Sequence, residues 1–138
     1  MGSMSKICRS LLLTLSLVIM FSLQGVIAQE DLLDGKVFVG QSREKHKRAV
    51  KEDELRFLDG KFHSAVYAQR GFNEGLYTAK AGVDEIYFDA ETFNSKKGNI
   101  KWRGIVRGDF IEVNYRWSKK GWLSDSEKNY SFSGTLKK

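Results

Sequence analysis

The sequence contains no proline, a single cysteine and only two histidines among its 138 residues. Cys8 lies in an N-terminal segment that we expect to be removed, which leaves no disulfide, no thiol nucleophile and no thiolate metal site. His46 and His63 are not paired at metal-ligand spacing, and no glycine-rich phosphate loop precedes a helix. His63 beside Arg56 also makes a poor base for a Ser-His-Asp set. We therefore predict no catalytic residue, no metal site, no cofactor and no enzymatic activity.

The first 28 residues have the pattern of a cleaved signal peptide. Lys6 and Arg9 precede an apolar run over residues 11–23, and residues 26–28 offer a small-residue cleavage pattern. The run is shorter than the about 20 residues that a membrane-spanning helix needs, which favours cleavage over a retained anchor. The mature protein is then exported, to the periplasm or the extracellular space.

Cleavage leaves residues 29–138 as a single domain without a stable membrane anchor. Removal of two cations lowers the formal net charge from +6 to +4, because residues 1–28 contain no Asp or Glu. A mildly basic domain could favour an anionic surface, but this net charge alone does not demonstrate one. The sequence leaves the oligomeric state open.

Residues 99–118 predict an antiparallel hairpin around Gly108-Asp109. A two-residue turn with glycine first is typical of type II′. This turn pairs Trp102 with Tyr115 and Ile100 with Trp117 on one face, and it places the cationic side chains on the other face. The pattern indicates a half-buried hairpin with an aromatic interior.

Six further strands follow from alternation and turn residues. Asp59-Gly60 predicts a type I′ turn that pairs Phe57 with Phe62 and turns Arg56 and His63 outward. The turn at 81–83 could hold two or three residues, so either Leu76 or Tyr77 could face inward. The eight predicted strands are residues 36–41, 54–58, 61–67, 74–80, 84–92, 99–107, 110–118 and 127–136.

Residues 42–53 are dense in charge and predict a long loop, which is either a solvated linker or a lid over one end of the fold. No segment after the signal peptide has convincing helical periodicity. Eight sequential strands with one apolar face must therefore close on themselves or form a sandwich. We predict an all-β, eight-stranded antiparallel up-and-down barrel of the lipocalin or avidin type. Glycines within strands would relieve crowding there: Gly40, Gly75, Gly104 and Gly134.

The outer face offers two alternatives to chemistry in the interior. Asp89 and Glu91 could form an acid–base pair, but cross-strand ion pairs with Lys101 and Arg103 explain them better. Basic and aromatic residues interleave from residue 101 to 122, yet alternation places the rings and the cations on opposite faces. We therefore predict no nucleic-acid partner, because single-strand binders display both on one exposed face.

The barrel interior is the predicted ligand site. A barrel of eight strands is just wide enough to be filled by side chains or to hold one small ligand. Tyrosine and tryptophan side chains offer polar groups for a small, largely apolar molecule, whereas the alternative is that all these residues simply pack. The predicted ligand-binding residues are Phe57, Phe62, Phe88, Trp102, Tyr115, Trp117, Tyr130 and Phe132.

Two functions compete. An exported carrier of a small hydrophobic molecule predicts a continuous internal cavity of a few hundred Å3. A secreted interaction or inhibitor module, acting through loops and a basic outer face, predicts a filled interior and exposed aromatic residues, with Trp122 the first to examine. The sequence does not identify a ligand.

Several segments together resemble a known group of proteins. They include Asp34-Gly35-Lys36, residues 57–64, Gly108-Asp109, Lys119-Lys120-Gly121-Trp122 and Phe132-Ser133-Gly134-Thr135-Leu136. The chain resembles small secreted bacterial proteins of uncharacterised function with a lipocalin-like (calycin-type) β-barrel. The resemblance implies a ligand-binding barrel with no known substrate. Tyr67 stands where such proteins often carry a cysteine, so no thiol-based role carries over.

Overall fold

The computed structural model describes residues 32–138, so the predicted signal peptide lies outside the described residues. Eight strands and one short helix, α1 (Ala65–Gln69), form the domain. The strands are β1 (Val37–Glu44), β2 (Val50–Leu58), β3 (Lys61–Ser64), β4 (Gly75–Ala81), β5 (Ile86–Asn94), β6 (Gly98–Arg107), β7 (Phe110–Lys119) and β8 (Ser126–Leu136).

The strands form a closed antiparallel barrel in sequence order. Each strand pairs with the next, and β8 pairs with β1 to complete the cylinder. Buried and exposed residues alternate along most strands, so one face needs cover and closure supplies it without helices. The seam between β3 and β4 is the shortest, with two residue pairs, Lys61 with Leu76 and Phe62 with Gly75. The predicted all-β, eight-stranded up-and-down barrel is confirmed.

The two predicted turns and their registers are confirmed. Gly108 has φ +58, and Trp102 pairs with Tyr115 across β6 and β7. Asp59 and Gly60 both have positive φ, as a type I′ turn requires. Turn chemistry determined the register in both hairpins because a slip by one residue would move every apolar side chain to the solvent face.

The long loop predicted over residues 42–53 is wrong. β1 continues to Glu44 and β2 starts at Val50, so only residues 45–49 connect the two strands. The charged side chains are mostly exposed on the outer surface, while backbone pairing with both neighbouring strands compensates for the lack of apolar residues. A strand in a closed barrel buries only its inward-facing side chains, and in this charged segment those are Ser42 and Asp53.

The third strand is also shorter than predicted, because α1 begins at Ala65. Ser64 is its N-cap, and the Ser64 hydroxyl accepts a hydrogen bond from the Tyr67 amide at 3.3 Å. A helix of five residues is too short to have a detectable apolar period, which is why the sequence pattern missed it.

The open question at residues 81–83 has one answer in the structure. Tyr77 faces inward and is 3% exposed, whereas Leu76 faces outward and is 76% exposed. The prediction of crowding at strand glycines also holds. A Cβ atom at Gly75 would overlap the carbonyl oxygen of Glu91 on the neighbouring strand, so only glycine fits there.

Candidate functional site

The predicted ligand-binding residues lie inside the barrel, but not all to the same depth. Six of them are at most 4% exposed: Phe57, Phe62, Phe88, Trp102, Tyr115 and Phe132. Trp117 and Tyr130 are half-buried and lie at the end of the barrel that also carries α1. Whether any of these side chains binds a ligand stays a prediction.

The interior rings form a continuous ladder along the barrel. Successive ring centroids are 6.1, 5.3, 4.8, 4.2 and 4.9 Å apart from one end of the ladder to the other. The ladder runs in the order Phe38, Phe57, Phe62, Trp102, Tyr115 and Tyr130. Edge contacts dominate from Phe38 to Phe62, and stacked rings dominate from Trp102 to Tyr130. Both arrangements add stability beyond the burial of area.

The polar groups of Trp102, Tyr67, Tyr115 and Trp117 are already bonded within the protein. The Trp102 indole N–H donates to the Thr92 hydroxyl at 3.0 Å. The Tyr67 hydroxyl donates to the Tyr115 hydroxyl at 3.4 Å, and burial raises the pKa of both tyrosines, so both stay neutral near pH 7. The Trp117 indole N–H donates to the Lys97 carbonyl at 2.7 Å. A ligand that uses these groups has to break protein hydrogen bonds.

The part of the interior around Phe57 is filled by side chains. Phe57 and Phe62 are 0% exposed, and Phe88 and Phe132 are 1% exposed. A void that could hold a water molecule would appear as accessible surface on the adjoining rings, so none adjoins Phe57 or Phe62. Phe57, Phe62 and Phe88 pack against one another, so this part of the interior agrees with the packed alternative.

An open groove of about 850 Å3 crosses the outer surface of strands β4–β8. Its two sides are rows of outward-facing side chains, Thr78, Asp89, Arg103, Asn114 and Ser131 in one and Leu76, Glu91, Lys101, Arg116 and Asn129 in the other. The Arg103 Nε donates to Asp89 Oδ1 at 2.9 Å, so cross-strand pairing is confirmed for Asp89. Glu91 accepts from the Asn99 amide at 2.7 Å. This groove lies outside the barrel and is not the internal cavity that a carrier requires.

A buried carboxylate holds α1 against the barrel end. Asp53 is 8% exposed, and its Oδ2 accepts from the Ser64 hydroxyl at 2.6 Å. Its Oδ1 accepts from the backbone amides of Glu54 at 2.7 Å and Val66 at 3.0 Å. All these bonds are internal, and within residues 32–138 no group of three or more His, Cys, Asp or Glu is arranged to hold a metal ion. We assign Asp53 a structural role.

The two ends of the barrel differ in charge. The four connections at the α1 end, residues 45–49, 65–74, 95–97 and 120–125, carry seven lysines and arginines and two carboxylates. The three connections at the opposite end are residues 59–60, 82–85 and 108–109. These three carry four carboxylates and neither lysine nor arginine.

We call the first end the basic end. Antiparallel topology determines which connections meet there, because every second connection returns to the same end of an up-and-down barrel. Its cations are Lys45, Lys47, Arg48, Arg70, Lys96, Lys97 and Lys120. Lys119 is the last residue of β7 and directly precedes Lys120 in the sequence.

Most of this charge is not neutralised locally. Lys47 pairs with Glu44 at 2.9 Å, but no carboxylate in residues 32–138 pairs with Lys96, Lys119 or Lys120. The lysines at the C-terminus, near the opposite end, behave differently. Lys137 pairs with Glu54 and Lys138 with Asp109, each at 3.3 Å.

The basic end also carries the most exposed aromatic side chain described. Trp122 is 93% exposed and Leu123 is 82% exposed, both in the connection between β7 and β8. Trp122 is also the first residue that an interaction module, as predicted from the sequence, would expose. The excess of cations at this end depends on the true length of β1 and β2, because the charged residues 42–44 and 50–53 lie in these strands and not in the connection.

Comparison of the chain with protein-family models, with curated proteins and with solved structures finds no match. The barrel architecture agrees with the resemblance described above, and the lipocalin-like assignment stays a prediction. Within residues 32–138, no helix has the length and apolar character needed to cross a membrane.

Proposed function

We propose that this protein is an exported binding module that docks an anionic surface against the basic end of its barrel. The observation that carries the proposal is the separation of charge, with seven cations and two carboxylates in the connections at one end. Clustered cations of one sign raise the local concentration of an anionic partner and orient its approach. The filled interior around Phe57 also supports a module that acts through its surface.

The exposure of Trp122 supports the same function. A large side chain that is 93% exposed gains no stability from the fold, whereas it would bury apolar area against a partner. Aromatic residues near cations are common at binding surfaces because they bury area at a low entropic cost.

The carrier hypothesis is the second candidate, and the half-buried Tyr130 favours it. This ring stacks on Tyr115 with centroids 4.9 Å apart at the upper end of the ladder, where a small planar molecule could extend the stack. Native mass spectrometry of the protein purified from its own host tests this candidate. A bound small molecule of constant mass supports it, and repeated recovery of the bare chain counts against it.

Retention on an immobilised sulfated polysaccharide tests the anionic-surface proposal. The double variant Lys119→Gln/Lys120→Gln should elute at a lower salt concentration than the wild type, because it removes two cations of the basic end. The matched control is Lys137→Gln/Lys138→Gln, which changes the net charge equally but removes lysines already paired with carboxylates. The control should elute close to the wild type.

Equal shifts for the two double variants would mean that only net charge matters and that the basic end has no special role. No retention of the wild type at low salt would remove the proposal altogether, since exposed charges attract most strongly when screening is weakest.

A further inference from the structure

We infer that the anionic partner is a lipid bilayer surface, on which Trp122 and Leu123 insert at the level of the headgroups. The inference rests on the proposed function, because it names the surface that the basic end binds. It is carried by one loop, residues 120–125, which combines a tight turn, two exposed apolar side chains and adjacent lysines.

The backbone of this loop presents the two apolar residues at its tip. A Cβ atom at Gly121 would overlap the carbonyl oxygen of Ser124, so the chain turns back sharply between these two residues. Trp122 and Leu123 are the residues inside this turn, and both side chains point into water with 93% and 82% of their surface exposed. Such a turn can enter a headgroup layer without unfolding any strand.

The lysines around the loop suit an anionic bilayer. Lys119 and Lys120 immediately precede the turn, and no carboxylate in the described chain pairs with either of them. Asp125 is the carboxylate within the loop. Glu127, which follows the loop in β8, pairs with Arg116 at 3.2 Å. Lysines near an anionic leaflet are each worth about 1 kcal/mol, and this attraction extends over about one Debye length.

The apolar pair distinguishes a bilayer from a soluble polyanion. Tryptophan is enriched at membrane–water interfaces because its ring is apolar and its N–H stays hydrated. A highly sulfated polymer offers no apolar layer in which Leu123 could be buried. A bilayer satisfies both the lysines and the apolar residues in one contact.

The opposite end provides the contrast that sets the orientation. Val83 and Phe110 are 90% and 65% exposed there, so exposed apolar side chains are not peculiar to the basic end. Val83 precedes Asp84 and Phe110 follows Asp109, and an anionic surface repels both carboxylates. Of the connections at the two ends, those of the basic end combine apolar exposure with positive charge, so we infer that the barrel stands on the bilayer by this end.

Vesicle binding with a depth-sensitive quencher tests the inference. The protein is used as recovered after export, with vesicles of phosphatidylethanolamine and phosphatidylglycerol, and with phosphatidylcholine vesicles for comparison. Brominated acyl chains should quench tryptophan fluorescence in the anionic vesicles alone. Trp122→Phe keeps a ring but removes this fluorophore, so loss of quenching assigns the signal to Trp122 and not to Trp102 or Trp117.

Two pairs of variants measure the contributions. Lys119→Gln/Lys120→Gln should weaken vesicle binding about thirtyfold, whereas Lys137→Gln/Lys138→Gln should change it less than about threefold. Trp122→Ala should weaken binding by about tenfold or more, whereas Phe110→Ala at the opposite end should leave it unchanged. The matched variants share any contribution of the N-terminal segment, so the differences report on the loop.

Quenching that follows this pattern supports the inference. Equal binding to neutral vesicles, or quenching that persists in Trp122→Phe, overturns it. Salt-sensitive binding to a sulfated polysaccharide without quenching in vesicles overturns the bilayer as partner but leaves the proposed function standing. Absence of binding to every anionic surface overturns both.

Discussion

The two ends of this barrel close the same eight strands, but they differ in the side chains of the interior and in the charge of the connections. Near the opposite end, the interior is mostly hydrocarbon around Phe57, the turns are tight and the carboxylates outnumber the cations. At the basic end, longer connections carry unneutralised lysines, and the rings of the interior are mostly tyrosine and tryptophan, with Phe72 among them. The comparison shows that one small barrel can place its hydrocarbon core towards one end and its exposed positive charge at the other.

The hydrocarbon half is where a single deletion should cost most. Phe57 contacts four rings, those of Phe38, Phe62, Tyr77 and Phe88, at centroid distances of 4.9 to 6.1 Å. Phe57→Ala should lower the free energy of unfolding by about 3–5 kcal/mol, because it leaves a cavity in a filled core.

The measurement is the midpoint of urea unfolding at constant m-value. Phe110→Ala removes the same side chain from a position that is 65% exposed, and it should cost less than about 0.5 kcal/mol. Similar losses in the two variants would mean that the ring ladder is not the core.

The basic end depends more on polar bonds, of which Asp53 holds the most. Asp53→Ala removes the acceptor from the Ser64 hydroxyl and from two backbone amides, and it should cost about 1–3 kcal/mol. The matched change at the opposite end is Asp34→Ala, where one oxygen accepts from Gly60 and Tyr77. Water can replace those bonds at a more open position, so we expect a smaller loss in thermal unfolding. A larger loss at Asp34 would reverse the comparison.

A smaller effect is expected for the hydroxyl that joins α1 to the ladder. Tyr115→Phe removes the acceptor of the Tyr67 hydroxyl and should cost about 0.5–1.5 kcal/mol by chemical unfolding. Tyr87→Phe removes a hydroxyl that bonds Glu85 on the outer surface, and its cost should be near zero. An unchanged Tyr115→Phe midpoint would indicate that ring stacking alone holds this end.

The smallest effects, and the sharpest separation of the two ends, should appear in the pH dependence. A hydrogen bond from Gly60 lowers the pKa of Asp34 below its usual 3.8, so the stability it contributes is present above that pH and is lost as the pH falls further. Burial raises the pKa of Tyr67 above its usual 10, so its contribution is present below pH 10 and is lost as the pH rises further.

Unfolding measured across the pH range checks both signs. Asp34→Asn should flatten the acid side of the profile alone, and Tyr67→Phe should flatten the alkaline side alone. If either variant changed the other side, the two groups would not report on separate ends.

Much of the fold follows from local signals, and the failures have physical causes. Alternation and the turns at Asp59-Gly60 and Gly108-Asp109 predicted the strands and registers that the barrel has. The charged residues 42–53 were misread as a loop because pairing with β2 and β8, rather than apolar burial, makes them strands. Much of the aromatic interior was predicted, but the buried rings of Phe38, Tyr67 and Phe72 were not. Whether the interior was filled depended on how rings from different strands meet.

By itself, the sequence determined the local geometry: which residues turn, which alternate and which therefore share a face. Only the tertiary structure decided where each strand ends, and therefore which charged residues lie in the connections, because pairing with both neighbouring strands keeps the charged residues 42–44 in a strand. The charge of +6 is a property of the composition, whereas the excess of cations at the end that carries Trp122 is a property of the strand lengths and the topology. That is why the basic end could be delimited only after the lengths of the strands had been corrected.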